Sequence, residues 1–158
     1  MRTTTVSRTM KTKKYFTPIL IWLALLLAFT SSPVHAEKKN PYKPGDPTVY
    51  DDLAKAPRKA IERRNPMAND PDAVAAGANL FDQHCAECHG DMAEGGKKGP
   101  SLRADPVQQA TPGTIFWILT NGVVRRGMPV WSKLPEPERW QLVSYVKSLA
   151  PDPKPPQQ

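Results

Sequence analysis

Apolar positions fall into one continuous run and three stretches of helical spacing, separated by polar segments rich in proline and glycine. The continuous run is Ile19 to Phe29, eleven apolar residues without a break. Helical spacing begins at Asp70. Asp70 suits the capping position, Pro71 the first helical position, and Asp72 the positive end of the helix dipole. Val74, Gly77 with Ala78, and Phe81 then recur at three- and four-residue steps, which predicts one apolar face and a helix running into Cys85. Asp91 to Leu102 reads as a glycine-rich loop. Thr111-Pro112 opens a second helix through Ile115, Phe116, Ile118 and Leu119, and Asn121-Gly122 ends it. A third helix is predicted from Glu136 to Leu149, with Leu142, Val143, Val146 and Leu149 on its buried face. Pro135 and Pro137 are compatible with it because they lie before it or in its first turn. No alternating strand pattern persists and no repeat is present, so the predicted fold class is all-α, with three to four short helices.

Outside these helices the chain divides into further segments. Residues 1–36 carry five basic and no acidic groups, then the apolar run, then Ser31-Ser32-Pro33-Val34-His35-Ala36. That order predicts an export signal cleaved after Ala36. Eleven apolar residues are short of the roughly 20 that a spanning helix needs; the alternative is an uncleaved anchor through residues 19–29. Residues 37–69 form a proline-rich arm: Glu37 to Asp52 is expected to be extended, and Ala56 to Arg64 a short helix stopped by Asn65-Pro66. The arm reads as a packing strap or linker. Residues 70–150 are the folded domain, and 151–158 a disordered proline-rich tail.

Charge then narrows the function. The formal net charge is +7, but past residue 36 there are 17 Lys and Arg against 15 Asp and Glu, which leaves +2. The basic balance belongs to the leader, and no basic patch interleaved with aromatics points to nucleic acid.

The candidate chemistry lies in Cys85-Ala86-Glu87-Cys88-His89, a C-x-x-C-H run holding both cysteines of the chain. This is the form in which haem is attached covalently. Two thiols three positions apart share a helical turn and can add to both vinyl groups of one porphyrin. The histidine that follows falls under the iron as an axial ligand. A disulfide is the weaker use of two cysteines so close together. Zinc would find three ligands here but no fourth at a familiar spacing. For a second axial ligand, no histidine follows His89, and Met92 is only three residues beyond it. Met128 lies 39 residues beyond, between Gly127 and Pro129, on a loop long enough to wrap a porphyrin. The alternatives are a core methionine at 128, or His84, whose place beside Cys85 favours a surface or supporting role.

Asp70 to Leu149 resembles a monohaem class I cytochrome c domain. The resemblance rests on the C-x-x-C-H run, Gly77 and Phe81 in the first helix, Leu142 and Tyr145 facing them in the last, Gly99-Pro100 with Leu102, and Met128-Pro129. It implies a cytochrome c fold around one covalent haem c, with thioethers at Cys85 and Cys88 and axial iron ligands His89 and Met128. It also implies that the Pro100 carbonyl accepts the His89 N–H. The implied function is a periplasmic one-electron carrier, not an enzyme. It would pass electrons between a dehydrogenase, for example a quinoprotein alcohol or sugar dehydrogenase, and another cytochrome or a terminal oxidase. A haem peroxidase or a gas sensor would instead need the distal position to open. Lys97, Lys98, Arg125, Arg126 and Lys133 are candidates for steering an acidic partner. Arg125 and Arg126 are also candidates for neutralising a propionate, or are solvated surface charge. Trp131, and with less reason Trp117, would line the porphyrin or serve as ordinary core aromatics.

A domain of about 80 residues with so little apolar surface calls for a staple, and the tethered haem would be one. The double variant Cys85→Ala/Cys88→Ala is therefore expected to lose the native fold. Native-like near-ultraviolet dichroism from the purified haem-free protein would contradict this.

Overall fold

Asp70 decides where the first long helix starts. Its Oδ1 accepts from the amides of Asp72 at 3.0 Å and Ala73 at 3.4 Å, satisfying two donors that the helix itself leaves open. The computed structural model describes residues 42–149 and residue 151. The leader 1–36, the start of the arm and the tail from residue 152 lie outside the described residues. Six α-helices follow in order: α1 (Arg58–Ile61), α2 (Pro71–His84), α3 (Ala86–His89), α4 (Asp105–Gln109), α5 (Pro112–Asn121) and α6 (Glu136–Ser148). Two 3-10 helices, Pro47–Lys55 and Val124–Arg126, complete the described elements, and the one extended pairing is an isolated antiparallel bridge between Val123 and Met128.

The core is the crossing of α2 on α6. Gly77 makes it possible, because a Cβ at that position would lie 2.1 Å from the Gln141 carbonyl oxygen and 2.9 Å from the Tyr145 Cβ. Phe81, one turn on, is fully buried and meets Tyr145 with ring centroids 5.1 Å apart. Leu142 and Val143 are fully buried beside it. On α2 the buried face is Ala73, Gly77 and Phe81, with Val74 only half-buried. α5 packs on the other flank of α6 through Phe116 and Trp140, whose rings stack at 4.1 Å. Arg63 and Arg139 each hold a guanidinium over Phe116, at 4.4 Å and 4.7 Å.

The arm departs from the expected extended form. Asp46-Pro47 is the same cap-plus-proline signal as Asp70-Pro71. Asp46 Oδ1 accepts from the Thr48 amide at 2.9 Å, starting a nine-residue 3-10 helix where an extended arm was expected. The following helix is shorter than predicted, confined to Arg58–Ile61. The described part of the arm is bound at several points. Tyr50 Oη donates to the Ser101 carbonyl at 2.9 Å, Thr111 Oγ1 to the Ile61 carbonyl at 3.0 Å, and Asn65 Nδ2 to Ser144 Oγ at 2.8 Å. Gly113 on α5 lets α1 approach, since a Cβ there would sit 1.9 Å from the Ala60 carbonyl oxygen.

Gly77→Ala is expected to destabilise the haem-loaded protein by about 1–3 kcal/mol through overpacking at the crossing. Thermal or denaturant unfolding of the two proteins measures it.

Candidate functional site

Helix α2 stops at His84, and the backbone turns at Cys85, whose φ/ψ of −124°/−34° separates it from α3. The single turn of α3 is closed by the Cys88 and His89 amides, both bonded to the Cys85 carbonyl at 3.0 Å. Cys85, Cys88 and His89 thereby reach the same cavity, of about 360 Å³. Gly99, Pro100 and Met128 line it too, and Phe81, Ile115, Leu119, Leu142 and Val146 make its walls apolar. That volume is within the about 300–1,000 Å³ range of ligand pockets.

His89 is buried, and its Nδ1 lies 2.7 Å from the Pro100 carbonyl oxygen. A carbonyl only accepts, so Nδ1 carries the proton and Nε2 keeps a free lone pair. Burial pushes the His89 pKa below its ordinary value, partly offset by the Pro100 hydrogen bond, so the ring is neutral at pH 7. Gly99 lets the loop close on this ring: a Cβ there would be 3.1 Å from the Cys88 carbonyl oxygen and 3.2 Å from His89 Nδ1. Bonds from the Gly95 amide to the His89 carbonyl (2.6 Å) and from the Leu102 amide to the Ala93 carbonyl (2.8 Å) fix the loop's course.

Burial pushes the Cys85 thiol up to about 11, with Cys88 adding to the shift, so it stays protonated at neutral pH. Among the described residues no group of three or more His, Cys, Asp or Glu is arranged to hold a bare metal ion.

Met128 sits on a short closed loop. Val123 and Met128 exchange both backbone hydrogen bonds, at 3.1 Å and 3.2 Å, around the 3-10 turn and the left-handed Gly127 (φ 91°). The Trp131 amide then bonds the Leu119 carbonyl at 3.0 Å, pinning the loop's exit to α5. Met128 is half-buried and faces the cavity, whereas Met92 is 67% exposed and does not line it. His84 is exposed, yet it lines the cavity beside Trp131, with ring centroids 5.4 Å apart. Trp117 does not line it.

Spacing alone did not reveal the arm's part in the site. Tyr42, Val49, Tyr50 and Leu53 line the same cavity. So does Arg126, whose Nη1 donates to Asp46 Oδ2 at 2.8 Å and whose Nη2 donates to the Thr48 carbonyl and hydroxyl at 2.9 Å and 2.7 Å. Its Nε is buried without a hydrogen-bond partner, 3.6 Å from Asp52 Oδ2. Arg125 Nη2 donates to Asp52 at 2.6 Å, and Lys98 pairs with Glu87 at 2.5 Å. Three of the five cations expected to face a partner are thus engaged within the chain, while Lys97 and Lys133 are exposed. The residues present fit a porphyrin: two thiols for its vinyls, a neutral imidazole and a thioether for its iron, and apolar walls.

The family model described as cytochrome C oxidase, cbb3-type, subunit III matches residues 72–146, and so begins after the arm. The chain is 33% identical over 106 residues to cytochrome c550 of Pseudomonas aeruginosa, covering 63% of this chain and 72% of that protein. It is 31% identical over 126 residues to the cbb3-type cytochrome c oxidase subunit CcoP of Rubrivivax gelatinosus, covering 78% of this chain and 40% of that one. It is 34% identical over 101 residues to the quinohemoprotein alcohol dehydrogenase ADH-IIG of Pseudomonas putida, covering 61% of this chain and 13% of that one. The chain therefore spans well under half the length of the oxidase subunits it matches. Among solved structures, cytochrome CL of Methylophaga aminisulfidivorans is 28% identical with a TM-score of 0.48, covering 54% of this chain and 58% of that one.

The ion pairs of the arm give a pH dependence. Hydrogen bonds from Arg126, then Thr48, hold the Asp46 carboxyl well below its usual range. Burial works to raise Asp52, but hydrogen bonds from Lys55 and Arg125 outweigh it and leave it lowered. Both folded pKa values lie below the unfolded value of about 3.9, so the stabilisation is complete above that pH and is lost as pH falls through the folded values. Hydrogen-exchange protection factors at Val49 and Leu53 are expected to hold from pH 7 to about 4 and to fall below it.

Proposed function

The chain belongs to the cytochrome c family, which carries covalently bound haem c, and we propose that it is an exported one-electron carrier with His89 and Met128 as axial iron ligands. The observation that carries the ligand set is the sharing of one apolar cavity by Cys85, Cys88, His89 and Met128, with His89 Nδ1 tied to the Pro100 carbonyl. When bound, the haem supplies a one-electron iron couple.

The protein's residues set the conditions for that couple. Cys85 and Cys88 would hold the group through thioether bonds and keep it in place through turnover. The Pro100 carbonyl orients the His89 ring and raises the basicity of Nε2. The neutral Met128 sulfur and the apolar walls favour the reduced iron, which raises the potential relative to two histidines. With imidazole and thioether both in place, no iron position stays open for substrate. This favours transfer over the peroxidase and sensor readings.

The proposed location is the periplasm, on the strength of the 1–36 leader. Among the described residues no helix is long and apolar enough to cross a membrane. The proposed partners are an upstream dehydrogenase and a downstream cytochrome or terminal oxidase. The similarity both to a quinohemoprotein dehydrogenase and to oxidase subunits supports those two ends. Lys97 and Lys133 remain the free cations for steering an acidic partner. The proposed organisation keeps 1–36 as leader, 37–69 as arm, 70–150 as cytochrome domain and 151–158 as tail.

The oxidised protein is expected to show the red-region methionine–iron band, and the reduced protein to resist carbon monoxide. Met128→Ala should abolish the band, admit carbon monoxide and lower the potential by more than about 59 mV, a tenfold shift for one electron. An unchanged spectrum in Met128→Ala would overturn the ligand assignment.

A further inference from the structure

We propose that the arm is a working part of the redox site: Arg126, gripped by Asp46 and Thr48 of the arm, is a positioning residue that holds the Met128 loop closed over the cavity. The proposal rests on the reading of Met128 as the distal ligand.

The loop's backbone bonds are short-range: Val123 pairs with Met128, the Arg126 and Gly127 amides bond the Val123 and Val124 carbonyls, and the Trp131 amide pins only the exit to α5. Its apolar anchorage is slight, with Val124 and Val130 67% and 49% exposed. A loop that buries so little apolar surface is drawn from the low-stability end of a fold and opens readily unless tethered. The tether is Arg126, two residues before Met128. Its side chain is only 14% exposed, and the carboxylates that act on it, Asp46, Asp52 and Asp51, all belong to the arm. Two of its nitrogens make three hydrogen bonds there, and Arg125 adds a fourth link from the loop to Asp52. Charge-assisted bonds from a planar fork fix both distance and angle.

The same nine-residue 3-10 helix, two residues on from Thr48, reaches the opposite ligand's loop. Tyr50 donates to the Ser101 carbonyl, and Ser101 directly follows Pro100, whose carbonyl holds His89. A single arm element thus ties the loop that carries Met128 to the loop that orients His89. The separation of the two iron-ligand loops is set by Tyr50 and Asp46, which lie outside the segment matched by the family model. Loosening the arm raises the fraction of molecules in which the distal sulfur has swung away, and an incoming ligand takes that fraction.

The test uses the full haem-loaded protein at pH 7. It compares wild type with Asp46→Asn/Asp52→Asn, with Arg126→Lys, with Met128→Ala, and with Gly77→Ala as a variant that weakens the fold away from the arm. The readouts are the methionine–iron band of the oxidised form and the rate at which carbon monoxide binds the reduced form. The double variant is expected to bind carbon monoxide roughly tenfold faster than wild type and to show a weaker band. Arg126→Lys should move in the same direction, and it carries the test if the double variant fails to load haem. Gly77→Ala should leave both readouts at wild-type values; an equal gain there would overturn the proposal in favour of general loosening. If Met128→Ala loses the band but the arm variants match wild type, the ligand assignment stands and the latch is refuted. If wild type lacks the band and Met128→Ala matches it, the ligand assignment fails and the latch fails with it.

Discussion

The hydrogen bond from His89 to the Pro100 carbonyl is the constraint on which the rest of the site depends. The C-x-x-C-H turn delivers an imidazole to the cavity, but a lone ring on a one-turn helix is free to rotate. One carbonyl removes that freedom and chooses the tautomer. The carbonyl is placed by the loop before it, whose course depends on left-handed turns at Gly90 (φ 81°) and Gly95 (φ 84°) and on the close approach of Gly99. Those small residues look like filler in the sequence, yet they aim the donor atom. The bond also has a structural echo, because the next residue along, Ser101, is where the arm attaches.

The distribution of charge follows from the same geometry. Residues 1–36 carry most of the net positive charge, and the rest of the chain is near balance. Within the described residues, the cations nearest the cavity are neutralised from inside the chain, Arg125 and Arg126 by the arm and Lys98 by Glu87. This keeps the cavity rim from presenting a strong unpaired field, while Lys97 and Lys133 stay exposed.

Much of this was legible in the sequence. The starts of α2 and α5 followed from Asp70-Pro71 and Thr111-Pro112, and the face of α6 from the spacing of Leu142, Val143 and Val146. The cavity-lining residues Cys85, Cys88, His89, Pro100 and Met128 all stand out in the sequence by type and spacing. What stayed hidden had physical reasons. Asp46-Pro47 is a helix start, and Val49, Tyr50 and Leu53 after it fall at helical spacing, but prolines at 41, 44, 47 and 57 crowd so short a polar segment that it reads as extended. α4 is too short to show a period at all. The partners of Arg125 and Arg126 lie 73 and 80 positions away, and charge alone does not say which of several carboxylates a guanidinium will meet. The sequence ranked Trp131 ahead of Trp117 for lining the cavity, and of the two Trp131 lines it.

Ala93 shows how narrow the tolerance of such a loop can be. It is completely buried, and its backbone adopts a left-handed φ of 59° that a side chain ordinarily avoids. Its amide bonds the Gly90 carbonyl and its carbonyl receives Leu102, so the strain is held from both sides. For an evolving population this makes position 93 a near dead end. Glycine relieves the strain but leaves a hole where the methyl packed and loosens the loop. Every larger residue meets both a forbidden backbone and a full core. A change at this plain alanine would therefore be felt at His89, through the loop whose Pro100 carbonyl holds the ring.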